Sequence, residues 1–206
     1  MSLQALLAEV HPAWHGADAD APDATLLAQA RTSLLGRRLL AGALADGPAA
    51  HLLAPSSDGA SSVIGRWSRA RLDALHRDLG TLAYAPAIRA EIGREPVRRL
   101  KAALGNGYLL ALDRTVWDGK VDPVTLARLG QTLAQALAVG GDLAQALAPL
   151  LDVHGRAELQ AWACQREPAL AEWARLLAAP GALPPAHLPE KPVLVVQTHH
   201  LTRAAN

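Results

Sequence analysis

Apolar residues along this chain recur mostly three or four positions apart, which is the spacing of one face of an α-helix. The clearest example follows Ser68, where Leu72, Leu75, Leu79 and Leu82 lie at intervals of three, four and three residues. Serine is also a preferred residue at a helix N-terminus, because its hydroxyl can accept an unpaired backbone N–H. The pattern therefore predicts an all-α fold.

Prolines at helix starts and glycines at helix ends divide this pattern into about eight short helices. The strongest start is Asp122 followed by Pro123, and Gly140-Gly141 ends that helix. The other helices of the core are predicted at Ser68–Leu82, Pro86–Gly93, Glu95–Gly105, Asn106–Trp117, Asp142–Leu151, Arg156–Gln165 and Pro168–Ala179. The N-terminal part is looser, with a short apolar run at Leu3–Val10 and helical spacing over Ala24–Leu44.

The spacing of loops predicts one helical domain over residues 1–206. Pro55–Ser62 is the clearest loop, and it separates a looser N-terminal subdomain (1–62) from a helical core (63–180). The last segment, 181–206, holds four prolines and a short β-like run, Val193–Gln197. We expect this segment to be an extended, Pro-rich tail on the surface.

Composition strengthens the all-α prediction and excludes several classes of protein. Half of the residues are hydrophobic, yet only 3% are aromatic and none is Phe, whereas strands favour aromatic and β-branched residues. The single cysteine excludes an internal disulfide framework and favours a reducing compartment. No apolar stretch is long enough to span a membrane, and no basic leader precedes Leu3. We therefore expect a cytoplasmic protein.

The net charge of +1 hides an uneven distribution. Residues 66–101 contain nine Lys and Arg but only four Asp and Glu. Within this basic middle, Arg94, Arg98 and Lys101 lie four and three residues apart and so share one helix face, with Arg99 beside them. Such a face can bind an acidic protein partner, nucleic acid or anionic lipid. The alternative is an ordinary solvated face, partly neutralised by the nearby glutamates.

Strong catalytic and metal-binding motifs are absent from the sequence. There is no nucleophile elbow and no P-loop, and we expect no catalytic residue, no metal and no cofactor. His11 and His15 have a ligand-like spacing but lack a third ligand. Cys164 lies in an apolar helical pattern and is expected to be a small buried residue. The pair His199-His200 is expected to be exposed near the C-terminus.

The middle of the chain resembles the SctK-type (YscK/PscK) cytoplasmic accessory proteins of bacterial type III secretion systems. The resembling stretch is 72–114, LDALHRDLGTLAYAPAIRAEIGREPVRRLKAALGNGYLLALDR, about a fifth of the chain. Near the N-terminus, HPAWH at 11–15 is similar to a Pro-Ala-aromatic-His element of that family. These are packing patterns and not catalytic signatures.

The resemblance implies a non-enzymatic adaptor that links the cytoplasmic sorting platform to the inner-membrane ring. Its partners would be the platform pod protein and the cytoplasmic domain of the ring protein. It would then be a virulence-associated protein held at the periphery of the inner membrane through those partners, with no membrane span and no bound nucleic acid. The candidate partner-binding residues are Arg94, Arg98, Arg99, Lys101, Trp14 and Trp67, since the two tryptophans lie outside the strongest helical patterns.

Two other classes of function remain open from the sequence. One is a helical enzyme with a histidine-based site assembled in three dimensions, which a deep pocket holding His76 or His154 beside a carboxylate would favour. The other is a helical regulator that binds nucleic acid through the basic middle, although this region lacks interleaved aromatic residues.

Overall fold

The computed structural model describes residues 3–15, 24–54 and 59–202, and within these ranges it is 75% helix with no strand. The predicted all-α class is confirmed, whereas the predicted number of about eight helices is too low. The twelve α-helices in these ranges are α1 (Leu3–Glu9), α2 (Ala24–Thr32), α3 (Leu34–Ala45), α4 (Gly59–Arg66), α5 (Arg69–Ala83), α6 (Ala85–Ala90), α7 (Arg94–Leu104), α8 (Asn106–Leu112), α9 (Pro123–Ala138), α10 (Leu143–Arg166), α11 (Pro168–Leu176) and α12 (Glu190–Thr202). A 3-10 helix covers Pro12–His15.

The chain divides into two units. Unit 1 consists of Met1–Leu72 and Gln160–Ala182, and unit 2 consists of Asp73–Leu159 and Leu183–Asn206. Unit 1 thus combines the predicted N-terminal subdomain with a segment from the C-terminal third, a pairing that the helical pattern does not reveal. Both dividing points fall inside helices, after Leu72 in α5 and before Gln160 in α10.

Unit 1 has its apolar interior among α1 to α4 and α11. Helices α2 and α3 pack against each other and against α1, and α11 packs against α4. Trp173 on α11 is fully buried, and its Nε1 donates to the backbone oxygen of Trp67 at 2.7 Å. That bond fixes α11 against the residue that follows α4.

Two predictions in unit 1 are wrong. The single helix predicted over Ala24–Leu44 is broken at Ser33, whose hydroxyl accepts the N–H of Gly36 at 2.9 Å and so caps a new helix. The loop predicted at Pro55–Ser62 is helical from Gly59 onward, because Val63 and Ile64 are buried and secure α4. Residues 55–58 lie outside the described ranges.

Unit 2 is built around a core cluster of buried side chains on α6 to α10 and the adjoining loops. Its members are Tyr84, Ala85, Ala87, Ile88, Leu100, Tyr108, Ala111, Trp117, Leu129, Leu133, Leu143, Leu147 and Leu151. The predicted cap is confirmed here, since the Asp122 carboxylate accepts the N–H groups of Val124 and Thr125 at the start of α9. Trp117 is buried but lies outside a helix, because α8 ends earlier than predicted, at Leu112.

Two glycines allow α5 and α10 to cross closely within unit 2. A Cβ atom at Gly80 would collide with the backbone of Leu151, and one at Gly155 would collide with the backbone of His76. Gly80 lies one turn after His76 on α5, and Gly155 lies one turn after Leu151 on α10, so the two close contacts are adjacent. This crossing explains why α10 is one helix of 24 residues around Pro149 and not the two helices that the sequence predicts.

The predicted extended tail is also wrong over residues 190–202, which form α12. Val193, Val196 and His200 are buried at intervals of three and four residues, so packing overrides the β preference of the valine-rich run. His200 was expected to be exposed, but its Nε2 lies 2.9 Å from the Asp78 carboxylate on α5 and its side chain is 8% exposed. The extended stretch is limited to the residues between α11 and α12, and 203–206 lie outside the described ranges.

Candidate docking surface

The basic residues singled out by the sequence lie on α7 in unit 2. This helix begins after Gly93, has Glu95 and Pro96 in its first turn, and ends at Gly105, whose φ of +54° suits glycine. Leu100 is buried in the core cluster of unit 2. One side of α7 is therefore anchored in the core, and the opposite side faces solvent.

Three of the four predicted cations share that exposed side: Arg94, Arg98 and Lys101. Arg98 donates to the Glu95 carboxylate at 2.8 Å, but both side chains are well exposed, so water weakens this pair. The Lys101 ammonium lies 5.6 Å from the centre of the Tyr108 ring, which restricts its position. We call these three residues, together with Ile92, the α7 surface.

Ile92 adds an apolar side chain to the α7 surface. It directly precedes Gly93, the N-cap residue of α7. An apolar residue at this position commonly packs against the fourth residue of the helix, which here is Val97. In this structure that packing is not made, because Ile92 is 93% exposed. A single exposed isoleucine is ordinary on a protein surface, so Ile92 adds one apolar side chain to the three cations and does not by itself indicate a binding site.

Arg99 does not belong to this surface. Its guanidinium donates to the backbone oxygens of Leu137 at 2.7 Å and Val139 at 3.3 Å. These carbonyls lie at the end of α9, where no further turn of helix supplies a donor and a cation is stabilising. Arg99 therefore fastens α7 to the C-terminus of α9 within unit 2.

Much of the remaining basic middle is structural as well. Arg89 donates to the backbone oxygens of Ala111 at 2.7 Å and Trp117 at 2.9 Å, and so holds the loop that follows α8. Arg77 forms an ion pair with Asp152 at 3.6 Å. The clustering of charge in the sequence thus overstates the basic surface, since the backbone acceptors that engage Arg89 and Arg99 carry no sequence signal.

The two tryptophans belong to unit 1, whereas the α7 surface belongs to unit 2. Trp67 has no exposed surface, so it is unavailable to a partner in this conformation. Trp14 is half-buried: its Nε1 donates to the backbone oxygen of Ala178 at 2.8 Å, and the Arg175 guanidinium lies 5.5 Å from its ring centre. Neither tryptophan lies in an α-helix, and the sequence did not identify their contacts within unit 1.

A second polar cluster lies inside unit 2 and bears on the enzyme alternative. The Tyr84 hydroxyl and His154 Nε2 form a hydrogen bond at 3.1 Å, with the rings edge to face. Burial lowers the pKa of His154 to about 4 and raises the pKa of Tyr84 to about 12, so both are neutral at pH 7. Burial together with the charge of Arg156 lowers the pKa of His76 to about 3.

The most buried carboxylate of this cluster is Glu158, on α10. Its oxygens accept the backbone N–H groups of His187 and Leu188 at 2.9 to 3.1 Å. His187 Nε2 donates to the backbone oxygen of Ala83 at 3.0 Å, and its Nδ1 lies 3.1 Å from Glu158 Oε1 without hydrogen-bond alignment. Burial raises the pKa of Glu158 against the opposing effect of these donors. Through these hydrogen bonds, the Glu158 carboxylate holds the segment between α11 and α12 on the core of unit 2.

Two cavities in unit 2 lie elsewhere. One, of about 510 Å³, is lined by Leu110 on α8, Val116 in the loop that follows it and Val195 on α12. The other, of about 360 Å³, lies beside Thr81 and Leu147. Neither is lined by His76 or His154. The larger cavity is lined by His199 and Asp78, so what the two cavities fail to support is a site at His76 or His154.

The remaining candidates from the sequence are less informative. Cys164 is exposed and not buried as expected, and the Gln160 side chain donates to its sulfur at 3.0 Å. Among residues 3–15, 24–54 and 59–202, no group of three or more His, Cys, Asp or Glu side chains is arranged to hold a metal ion. Over the same part of the chain, every helix is too short or too polar to cross a bilayer.

Comparison with known protein families, with curated proteins and with solved structures gave no match for this chain. The resemblance to the SctK-type proteins, which rests on residues 72–114 and 11–15, therefore stays a prediction.

Proposed function

We propose that this chain is a non-enzymatic adaptor that links the cytoplasmic sorting platform of a type III secretion system to the inner-membrane ring. In this proposal it is a cytoplasmic protein, held near the inner membrane by its partners. The platform pod protein is one partner, and the cytoplasmic domain of the ring protein is the other. The α7 surface binds an acidic patch on the ring protein.

The observation that carries the proposal is the composition of the α7 surface. Three exposed cations, Arg94, Arg98 and Lys101, lie along α7, and Ile92, which is 93% exposed, precedes the helix. The apolar residue can contribute burial to a small interface, while the cations set the association rate and the choice of an acidic partner. The resemblance of 72–114 to SctK-type proteins includes all four of these residues and supplies the identity of the partners.

The test is a binding measurement with two charge-reversed variants. Purified chain is titrated with the ring protein's cytoplasmic domain by calorimetry at low and at high salt. Arg98→Glu with Lys101→Glu should weaken binding at low salt by about tenfold or more, because attraction becomes repulsion at the rim of the interface. The control is Lys120→Glu with Lys191→Glu, which changes the net charge equally at two other exposed lysines of unit 2.

Two results would count against the proposal. If the α7 double variant binds as well as the wild type at low salt, the α7 surface is not the contact. If the wild-type chain binds neither the pod protein nor the ring domain, the adaptor assignment itself fails. Circular dichroism of each variant confirms that the helices are intact, since the substituted side chains are exposed.

A further inference from the structure

The larger cavity of unit 2, of about 510 Å³, has the volume of a small-molecule site. We call it the α8–α12 cavity, and its described lining residues all belong to unit 2. Four of them are aliphatic and three are polar, which is the mixture that such sites commonly show. They are Asp78, Asn106, Gly107, Leu110, Val116, Val195, Val196 and His199.

Helix α12 gives the cavity a polar end and an apolar end. His200 Nε2 donates to the Asp78 carboxylate at 2.9 Å, so the neighbouring residue His199 lies at the level of Asp78. Val195 and Val196 lie one helical turn earlier on α12. The histidine is therefore beside the carboxylate, and the two valines are one turn away from it.

Helix α8 repeats this arrangement on the other side of the cavity. Asp78 and Gly107 line both cavities of unit 2, so they lie where the two cavities adjoin. Asn106, next to Gly107, is thus at the polar end. Leu110 lies one helical turn further along α8, and Val116 follows in the next loop. Both helices therefore lead from polar residues to aliphatic ones over one turn.

The polar end carries a carboxylate, and no lysine or arginine is among the described lining residues. The Asp78 side chain is 34% exposed. His200 occupies part of its hydrogen-bonding capacity, but a carboxylate has about four acceptor sites on its two oxygens. The nearest cation in sequence, Arg77, forms an ion pair with Asp152 and lines the other cavity instead. The charge that this end can complement is therefore positive.

We propose that the α8–α12 cavity binds a small amphipathic amine. Its protonated amino group pairs with Asp78, and its aliphatic part lies against Leu110, Val116 and Val195. A hydrogen bond between two charged groups is stronger than one between neutral groups, and burial of the aliphatic part adds to the affinity.

This inference is independent of the adaptor assignment. None of the four residues of the α7 surface lines the cavity, and the test needs only the isolated chain. The site would give unit 2 a small-molecule ligand in addition to a protein partner.

Ligands of other charge fit the polar end less well. An anion would have to place its charge beside Asp78, where only the two histidines oppose the repulsion. A neutral alcohol can donate to the carboxylate, but without the added attraction of opposite charges. The three classes of ligand should therefore differ in affinity even when their aliphatic parts are identical.

The experiment compares octylamine, octanol and octanoate, which share an eight-carbon chain and differ in the polar group. Each is titrated, below the concentration at which it forms micelles, into the isotope-labelled full chain. Nuclear magnetic resonance follows the backbone amides of Gly107 and Val196. We expect octylamine to bind at least about tenfold more tightly than octanol, and octanoate to bind most weakly.

One pair of variants tests the carboxylate. Asp78→Asn removes the charge but keeps an oxygen that can accept from His200 Nε2, so α12 should stay in place. It should lower the affinity for octylamine about tenfold or more and bring it close to that of octanol. The control is Asp73→Asn, which makes the same change on α5 at an exposed residue that does not line the cavity. This control should bind octylamine as the wild type does.

A second pair tests the apolar end. Leu194 and Val195 are neighbours on α12 and similarly exposed, at 38% and 41%, but only Val195 lines the cavity. Val195→Trp fills the space beside Leu110 and should weaken octylamine and octanol alike by about fivefold or more. Leu194→Trp should change neither affinity. Circular dichroism and thermal unfolding verify that all four variants keep the fold.

Four results would each overturn the proposal. Failure of octylamine to bind the wild-type chain would mean that the cavity is not an amine site. Equal binding of octylamine and octanol would remove the role of the Asp78 charge. Tighter binding of octanoate would show that the histidines make this end an anion site. Equal effects of Val195→Trp and Leu194→Trp would place the contact elsewhere.

Discussion

Glu172 in unit 1 and Glu158 in unit 2 each accept the backbone N–H groups of two consecutive residues, a histidine followed by a leucine. Glu172 accepts those of His51 and Leu52. Glu158 accepts those of His187 and Leu188. In both units a carboxylate on a helix from the C-terminal third thus fixes a segment that is distant in sequence.

The two contacts differ in how much water reaches them. The His51 side chain is 66% exposed and its Nδ1 lies 2.7 Å from Glu172, whereas the His187 side chain is 10% exposed and its Nδ1 lies 3.1 Å from Glu158. His187 also donates to the Ala83 backbone and lies against Trp117, with ring centres 6.0 Å apart. The histidine side chain is therefore open to solvent in unit 1 and enclosed in unit 2, while the Leu52 N–H of unit 1 is itself buried. We expect water to replace the lost carboxylate more easily at His51 than at His187.

Removing each glutamate tests this difference directly and should give the largest effects. Glu158→Ala leaves the part-buried N–H groups of His187 and Leu188 without an acceptor, and we expect it to lower the free energy of unfolding by about 3 kcal/mol. Glu172→Ala should lower it by about 2 kcal/mol, because water can reach the His51 N–H more easily. Urea unfolding measures both values, and hydrogen exchange at His187 and His51 assigns each loss to its unit.

Glutamine at the same positions is the matched control. Glu158→Gln keeps one carbonyl oxygen as an acceptor and should be less destabilising than Glu158→Ala. If the alanine and glutamine variants were equally unstable, the loss would come from packing and not from the acceptor role. If Glu172→Ala were the more damaging of the two alanine variants, exposure of the histidine would not be what distinguishes the units.

Lowering the pH should destabilise the two units to different extents, and this is the next largest expected effect. In unit 2 the pKa values of His76 and His154 lie at about 3 and about 4 in the folded state, below their ordinary value of 6.5. The stability they contribute is present above pH 6.5 and is lost as the pH falls from 6.5 toward 4. The raised pKa of Glu158 acts in the opposite direction, since its contribution is present below its ordinary pKa of 4.5 and lost as the pH rises.

Between pH 7 and 5 we expect the loss from the two histidines to exceed the gain from the single glutamate. We expect the free energy of unfolding of unit 2 to fall by about 2 kcal/mol over this range. Unit 1 has a smaller source of pH dependence in His15, whose pKa burial also lowers but which is half-buried. Hydrogen exchange at both pH values, corrected for the intrinsic rates, follows each unit separately. A steeper loss in unit 1, or no reduction of the pH dependence by His154→Gln, would contradict this assignment.

The comparison also shows what the sequence can predict. The start of α9 was predictable because Asp122 caps a helix through its own neighbours, two and three residues away. The Glu158 and Glu172 contacts were not, because 29 and about 120 residues separate the partners and a lone glutamate has no distinctive pattern. Helix α12 was missed for the same reason, since the contacts that favour it, such as His200 with Asp78, are equally distant.

For the candidate docking residues too, local spacing was predictable from the sequence and contacts with distant residues were not. Helical spacing correctly places Arg94, Arg98 and Lys101 on one exposed side of α7. It could not separate Arg99 from them, because the carbonyls that Arg99 contacts belong to α9 and become available only where that helix ends. The exposure of Ile92 was equally hidden, since an apolar residue at that position normally packs inward.

Replacing the two histidines should give the smallest effects and the finest distinction between the units. His187→Ala removes the side chain that donates to Ala83 and lies against Trp117, so we expect a loss of about 1–2 kcal/mol in the free energy of unfolding. His51→Ala removes a largely exposed ring and should cost less than about 0.5 kcal/mol, because the backbone N–H groups remain bound to Glu172. A loss at His51 as large as that at His187 would mean that the imidazole contact, and not the backbone contact, secures the segment in unit 1.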